Sequence, residues 1–301
     1  MEDNEIYITN ESSTPDGSTA VKYRLGKLLQ KGHPLIYECV KVESGRHYAM
    51  KIIKKCTLRK ERRRSLFTDI KLRMSLNHPG IVSLYSFFED KEKVYIVNEL
   101  CPSESLCKNI QRCGRLPERQ VVVILFQLLE ILRYLRKRRI VHHGLCLSNF
   151  LVGRHLELKL CNFKWAEHIK EGESSRTSIG TYNYYAPEIF SGRRHSYEVD
   201  IWAVGMILFN LLVGKLPFNM CGVRELQHQI KSREMKFPET VSVSEEARDL
   251  ISQLLHPDPA QRPTVNQIEG HALLRKYKRI EDHFNKWEGL GSSLKRKTCK
   301  A

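Results

Sequence analysis

The sequence predicts an α+β fold in two lobes, a small β-rich lobe followed by a larger helical one. Between Tyr23 and about Leu100 the apolar residues fall in short alternating runs rich in Val, Ile and Tyr, the period-two pattern of strands. After Pro102 the runs lengthen to helical dimensions, over 118–139, 200–213 and 244–255. No internal repeat interrupts this order.

Taken along the chain, residues 1–20 read as a disordered head. They are rich in Ser, Thr and Asn, and their only charges are acidic (Glu2, Asp3, Glu5, Glu11, Asp16). The small lobe covers 21–101. In it, HYAMKII (47–53) and KVYIVNEL (93–100) are strands and a helix lies around 65–76. The large lobe covers 102–274, and its helix over 244–255 opens on Ser244 followed by Glu245 and Glu246, which suit a helix N-terminus. Residues 275–301 form a basic tail that mixes aromatics with Lys and Arg.

Of the 301 residues, 41% are hydrophobic and 28% charged, enough to bury a sizeable core. Lys+Arg 50 against Asp+Glu 34 gives a net charge of +16, which favours acidic partners such as phosphopeptides, acidic proteins, nucleic acid or anionic lipid. The positive charge gathers in KKCTLRKERRR (54–64), RYLRKRR (133–139) and the tail. RKERRR reads as a solvated face, an anion dock or a site for a phosphorylated partner; RYLRKRR suits the C-terminal end of a helix dipole. Nine cysteines show no C-x-x-C pair and no zinc or disulfide spacing. The acidic N-terminus has no apolar core of the signal-peptide kind, so a reduced, intracellular setting, cytoplasmic or nuclear, is expected. VVVILFQLLEIL and IWAVGMILFNLLVG are too short and too interrupted by Gln127, Glu130 or Asn210 to span a membrane, and read as buried core helices.

On HYAMKII, Ala49, Lys51 and Ile53 share one face and Tyr48, Met50 and Ile52 the other. A lysine turned inward beside apolar neighbours needs an anionic partner, because burying a lone ammonium is costly. An exposed lysine on an edge strand is the blander alternative.

Further landmarks recur in order: the H-x-x-x-x-x-x-N pattern from His142 to Asn149 within IVHHGLCLSNFLV, then N-F-K at 162–164 and A-P-E at 186–188. D-I-W-A-V-G at 200–205 and Arg262 within PAQRPT follow. With A-M-K at 49–51 these make the chain resemble the eukaryotic Ser/Thr protein kinases from Tyr23 to about His271. LNHPGIVSLYSFFED and LCLSNFLV are most similar to the polo-like kinases. The resemblance implies that Glu188 pairs with Arg262, that Asp200 accepts backbone hydrogen bonds from the 142–149 loop, and that His142 and Phe163 pack in an internal spine. It further implies an ATP pocket from Leu29, Gly32, Tyr37, Lys51, Asp69, Glu99, Cys101 and Asn149, with Asn149 and Asn162 as the positions that would face Mg²⁺, and a regulatory phosphorylation at Thr177.

The positions that carry chemistry depart from the kinase pattern. Gly144 stands where a catalytic-base aspartate is required, and losing a positioned base costs about 10²–10⁴ in rate. Asn162 replaces the metal-binding aspartate and brings no negative charge, whereas Mg²⁺ prefers carboxylate and phosphate oxygen. Lys164 replaces a glycine, and Cys146 a lysine that contacts the transferred phosphate. In LLQKGHPLIY (28–37) only Gly32 survives of three glycines; Gln30 and Leu35 fill the outer places, and Pro34 has no N–H to offer a phosphate. Asp69 stands for the helix glutamate that pairs with Lys51, one methylene shorter, with Arg73 four residues on to compete for it. His143 replaces an arginine that receives an activation-loop phosphate, and Asn98 puts a polar side chain at the gate of the adenine pocket.

The expectation is therefore an inactive Ser/Thr kinase, a pseudokinase, that acts as a scaffold or allosteric regulator in cell-cycle or cytoskeletal signalling. Its partners are other proteins, such as an active kinase or an acidic or phosphorylated protein; no cofactor is assigned, since the departures weaken both ATP and Mg²⁺ binding. The enzyme alternative is a divergent kinase in which Asn162 and Asn149 hold one Mg²⁺ and a neighbouring group replaces the base. Nucleic-acid binding through the basic patches is a third reading, without a recognised nucleic-acid module to support it.

Overall fold

The computed structural model describes residues 6–10, 20–32, 34–101, 104–153, 155–170, 172–176, 180–218, 223–232 and 235–278. The chain divides into two compact units: residues up to Ser103 together with Cys161–Trp165, and the remainder. The expected boundary at 101/102 thus falls two residues later. The return of five residues to the first unit was not expected.

The first unit is a six-stranded antiparallel sheet. Its strands are β1 (Tyr7–Asn10), β2 (Val21–Gln30), β3 (Leu35–Lys41), β4 (His47–Lys54), β5 (Leu84–Glu89) and β6 (Lys93–Glu99), in the order β1-β2-β3-β4-β6-β5. β1 corrects the reading of 1–20 as one unstructured head. Tyr7 to Asn10 pairs with Arg24 to Val21, and Ile8 packs on the sheet's aromatic cluster. Pairing with β2 and the packing of Ile8 on the cluster outweigh the polar composition around the tetrapeptide Tyr-Ile-Thr-Asn.

The alternation on β4 sorts its side chains as expected. Met50 is fully buried with Tyr23, Cys39, Phe88, Tyr95 and Val97, and Tyr48 and Ile52 pack against that cluster. Tyr23 stacks on Phe88 and Phe88 on Tyr95, with ring centroids 6.0 and 5.0 Å apart. Ile53 joins the opposite cluster with Val94, Ile96 and two residues of helix α1 (Lys60–Ser75), Leu66 and Ile70. Helix α1 begins five residues before the expected 65, so that RKERRR lies within and just ahead of it.

The second unit is mainly helical. It holds β7 (Glu104–Ser105), α2 (Leu106–Cys113), α3 (Glu118–Lys137), β8 (Ile140–Val141), β9 (Phe150–Val152), β10 (Leu158–Leu160) and β11 (Glu167–His168). After these come α4 (Pro187–Phe190), α5 (Glu198–Val213), α6 (Val223–Lys231), α7 (Glu245–Leu254) and α8 (Val265–Glu269). The short strands form two small antiparallel sheets, β10-β9-β7 and β11-β8. Helix α5 is buried on nearly every side, as its almost uninterrupted apolar sequence requires, and packs on α3 and α7. It stops at Gly214, whose φ of 85° is the left-handed geometry that glycine takes without strain. Ser244 caps α7 by accepting from Ala247 N–H, and a Thr264/Gln267 capping box opens α8. Among the described residues no helix is long and apolar enough to cross a membrane, and the cysteines are free thiols.

Candidate functional site

In the first unit, Lys51 sits mid-strand on β4, half-buried, on the face that carries Ile53. Its expected partner Asp69 is committed elsewhere. Asp69 lies on α1 at 1% exposure, and Arg73, one turn on, grips it in a fork: Nε to Oδ1 at 3.0 Å and Nη2 to Oδ2 at 2.9 Å. The Phe163 backbone N–H donates to the same Oδ1 at 2.6 Å. The third arm of Arg73, Nη1, donates to Asn98 Oδ1 at 2.7 Å, while Asn98 Nδ2 donates to the Ile96 carbonyl at 3.2 Å. Arg73 and Asn98 are both buried. Among the described residues Lys51 makes no hydrogen bond and no ion pair within 4.0 Å.

Electrostatics follow from this wiring. Burial alone would raise the Asp69 carboxyl. The Arg73 charge, then Lys51, then the bonds from Arg73 and Phe163 outweigh it and hold the group below the ordinary carboxylate value. Desolvation draws the Lys51 ammonium below its ordinary value. Arg73 and Lys164 push the same way, and Asp69 and Cys161 oppose them.

The other first-unit positions bear on the nucleotide expectation. Gly32 has φ 119°, a conformation that favours glycine, and a Cβ there would meet nothing within 4 Å. Leu29 is 39% exposed on β2 and Tyr37 is half-buried on β3. Glu99 turns its carboxylate to the Ser83 N–H at 3.2 Å, and Cys101 lies half-buried two residues on. Asn162 has φ 69°, a left-handed conformation that Asn tolerates better than most side chains, and Phe163 is fully buried. Lys164 lies over the Trp165 ring at 5.1 Å.

In the second unit, the loop between β8 and β9 is fixed by α5. Asp200 accepts the His142 N–H at 2.8 Å on one carboxylate oxygen and the His143 N–H at 3.0 Å on the other. Burial pushes this carboxyl up to about 7 against the pull of those two bonds. His142 is fully buried. Asn149 Nδ2 donates to the Gly144 carbonyl at 2.7 Å, which braces the loop across the position that carries no side chain. Cys146 is buried with its sulfur 3.1 Å from Ser148 Oγ and accepts from Thr181 Oγ1 at 3.6 Å. Glu188 and Arg262 form a buried two-pronged pair at 2.6 and 2.8 Å, and the same guanidinium lies 5.0 Å from the Trp202 ring centroid.

His143 departs strongly from an ordinary imidazole. Its side chain is fully buried, edge-on to His195 with ring centroids 5.4 Å apart. Desolvation, then His195 and His142, push the imidazole down to about 3, so it is neutral near pH 7. Glu167 Oε2 lies 3.6 Å from Nε2, but that side chain is 41% exposed and water screens it, so burial wins. Thr177, the expected phosphorylation site, lies outside the described residues.

The residues present do not fit a magnesium nucleotide of the ordinary kinase kind. Gly144 and Asn162 supply no carboxylate, and Asp69 is already saturated by Arg73 and a backbone N–H. What the sequence reading missed is Asn98 as the third member of the Asp69–Arg73 network. A polar residue inside the buried run VYIV-N was the available signal, since a buried amide needs a partner.

The protein kinase domain family matches residues 30–274, and the chain belongs to that family. It is 40% identical over 282 residues to a probable serine/threonine-protein kinase, CCRP1, of Zea mays, covering 92% of this chain and 45% of that protein. It is 38% identical over 269 residues to the probable serine/threonine-protein kinase PLK of Dictyostelium discoideum, covering 88% and 27%. It is 35% identical over 260 residues to the cell cycle serine/threonine-protein kinase CDC5/MSD2 of Saccharomyces cerevisiae, covering 83% and 37%. The chain thus spans less than half the length of each of these relatives.

Proposed function

We propose that this protein is an inactive member of the polo-like kinase group that works by binding other proteins rather than by transferring phosphate. The observation that carries this reading is the Asp69–Arg73–Asn98 network. The carboxylate that would hold Lys51 toward a nucleotide is gripped within its own helix, and the lysine feels Asp69 only at a distance, with no ion pair within 4.0 Å among the described residues. The same network ties α1 to the 161–165 segment through the Phe163 N–H, so the first unit is braced from within. With Gly144 at the base position and Asn162 at the metal position, two contributions to catalysis are lost together, and deficits of this kind multiply to about 10⁴ or more when independent. The role as scaffold or allosteric regulator, in cell-cycle or cytoskeletal signalling and inside the cell, follows by analogy with the relatives' names and is part of the proposal.

A divergent, weakly active Ser/Thr kinase is the second reading, favoured by the kinase names of the relatives. A radiolabelled γ-phosphate transfer assay with Mg²⁺ or Mn²⁺ separates the two. The proposed function predicts incorporation indistinguishable between the parent and Lys51→Met. Turnover in the parent that Lys51→Met abolishes would overturn it.

A further inference from the structure

Helix α1 carries apolar side chains on two faces. Leu66, Ile70 and Leu72 are buried, while Phe67 and Met74, two turns apart, are 52% and 57% exposed. Lys60, Arg63 or Arg64, Phe67, Lys71 and Met74 follow one another at three- and four-residue steps, so they form one stripe along the solvent side of the helix. Around Phe67 and the half-buried Thr68, the cationic side chains line a shallow depression of about 400 Å³.

The charge on this stripe is one-sided. From 59 to 71 the exposed charged residues are six cations (Arg59, Lys60, Arg62, Arg63, Arg64, Lys71) and one acid, Glu61. Among the described residues none of the six makes an ion pair within 4.0 Å. Four of them sit in the first helical turns, where the helix dipole is positive and cations are unfavourable, and the N-cap residue Arg59 provides no side-chain cap. A face kept only for solubility mixes both signs and seldom opposes its own helix. A local arrangement that costs folding stability without internal compensation marks a place used for something else.

We propose that this face of α1 docks an Asp/Glu-rich segment of a partner protein that also carries an aromatic or aliphatic anchor. The anchor covers Phe67 and Met74, which nothing else in the described chain buries, and its acids meet Lys60, Arg63, Arg64 and Lys71. Nucleic acid is the weaker match, because the stripe has a single aromatic ring and offers no series of stacking platforms. The inference deepens the protein-binding half of the proposed function, and it holds whether or not the domain transfers phosphate.

The test is fluorescence anisotropy on the full chain with a labelled peptide Glu-Asp-Glu-Leu-Phe-Asp-Glu-Glu at an ionic strength of about 0.15 M. Three further probes run beside it: the same peptide with Leu and Phe changed to Ser, a phosphoserine peptide without Asp or Glu, and a single-stranded oligonucleotide. The expected result is saturable binding weakened about tenfold or more by the double variant Arg63→Glu/Arg64→Glu and unaffected by Lys137→Glu on α3. Phe67→Ser is expected to erase the preference for the Leu-Phe peptide over its Ser version. All of these substitutions are at exposed positions, and circular dichroism checks that each variant is folded. Absence of saturable binding up to about 0.1 mM peptide overturns the proposal. So does equal weakening by Lys137→Glu, or tighter binding of the phosphopeptide or oligonucleotide through the same arginines. None of these outcomes alters the phosphate-transfer result, so the two readings fail separately.

Discussion

Arg73 occupies the position on which the chemistry of the first unit turns. By saturating Asp69 from within α1, it converts a charge pair that would reach toward a nucleotide into a closed, fully buried one. Removing one partner of such a pair leaves an uncompensated buried charge, so Arg73→Ala should lower unfolding stability by about 3–5 kcal/mol in denaturant titration. Asp69→Asn/Arg73→Leu, which removes both charges, should cost much less; equal losses would mean that packing around Arg73, and not its charge, is what matters.

His143 allows a sign to be fixed in the same way. Its folded pKa of about 3 lies below the ordinary 6.5, so the unfolded chain binds the proton first and stability drains away as pH falls from about 6.5 toward 3. Asp200 works in the opposite direction. Its folded value of about 7 lies above the ordinary 3.8, so its contribution is lost as pH rises between those values. The informative quantity is therefore a difference: His143→Gln should gain melting temperature relative to the parent progressively below pH 6.5. A difference independent of pH would show that His143 is not buried as the neutral form.

At the scale of elements, α1 and α5 illustrate two ways in which a helix is specified. Helix α5 is legible because almost every residue is apolar, and its one close approach is met by a glycine. A Cβ on Gly205 would lie 2.8 Å from Leu255 carbons and 2.9 Å from Leu254 Cβ. Gly205→Ala should accordingly cost about 1–3 kcal/mol through overpacking, visible as a lowered denaturant midpoint.

Helix α1 is less legible. The run RKERRR opposes the helix dipole, and a reading by start signals therefore places the helix five residues late; packing of Leu66 and Ile70 under the sheet carries it through. Replacing one of those cations with an acid, as in Arg62→Glu, should stabilise the protein by about 0.3–1 kcal/mol, and a loss of stability would refute the dipole account. The kinase landmarks were legible because each needs a particular residue type. The Asp69–Arg73 competition could be read from the spacing of four. Its extension to Asn98 could not, because that contact joins a helix to a strand 25 residues away. The edge strand β1 was hidden for a related reason, since a tetrapeptide in polar surroundings declares itself only through its partner strand.

At the scale of the whole molecule, the structural landmarks of a kinase domain are in place, and the proposed function holds that its chemical ones are not. The Glu188–Arg262 pair, the Asp200 bonds to the 142–149 loop and the buried α5 hold the second unit together with no need of catalysis. In the first unit the sheet's two apolar clusters and the buried Asp69–Arg73 pair play the same structural part. The proposed function implies that this domain does not take up nucleotide, so nucleotide-dependent stabilisation is the most direct test of the account. A pocket with a dissociation constant near 10 µM would gain about 2.7 kcal/mol at 1 mM ATP, or roughly 5–10 °C in melting temperature for a domain of this size. We predict a melting temperature unmoved by millimolar ATP, with or without Mg²⁺. A rise that grows with ATP concentration and disappears in Lys51→Met would contradict it.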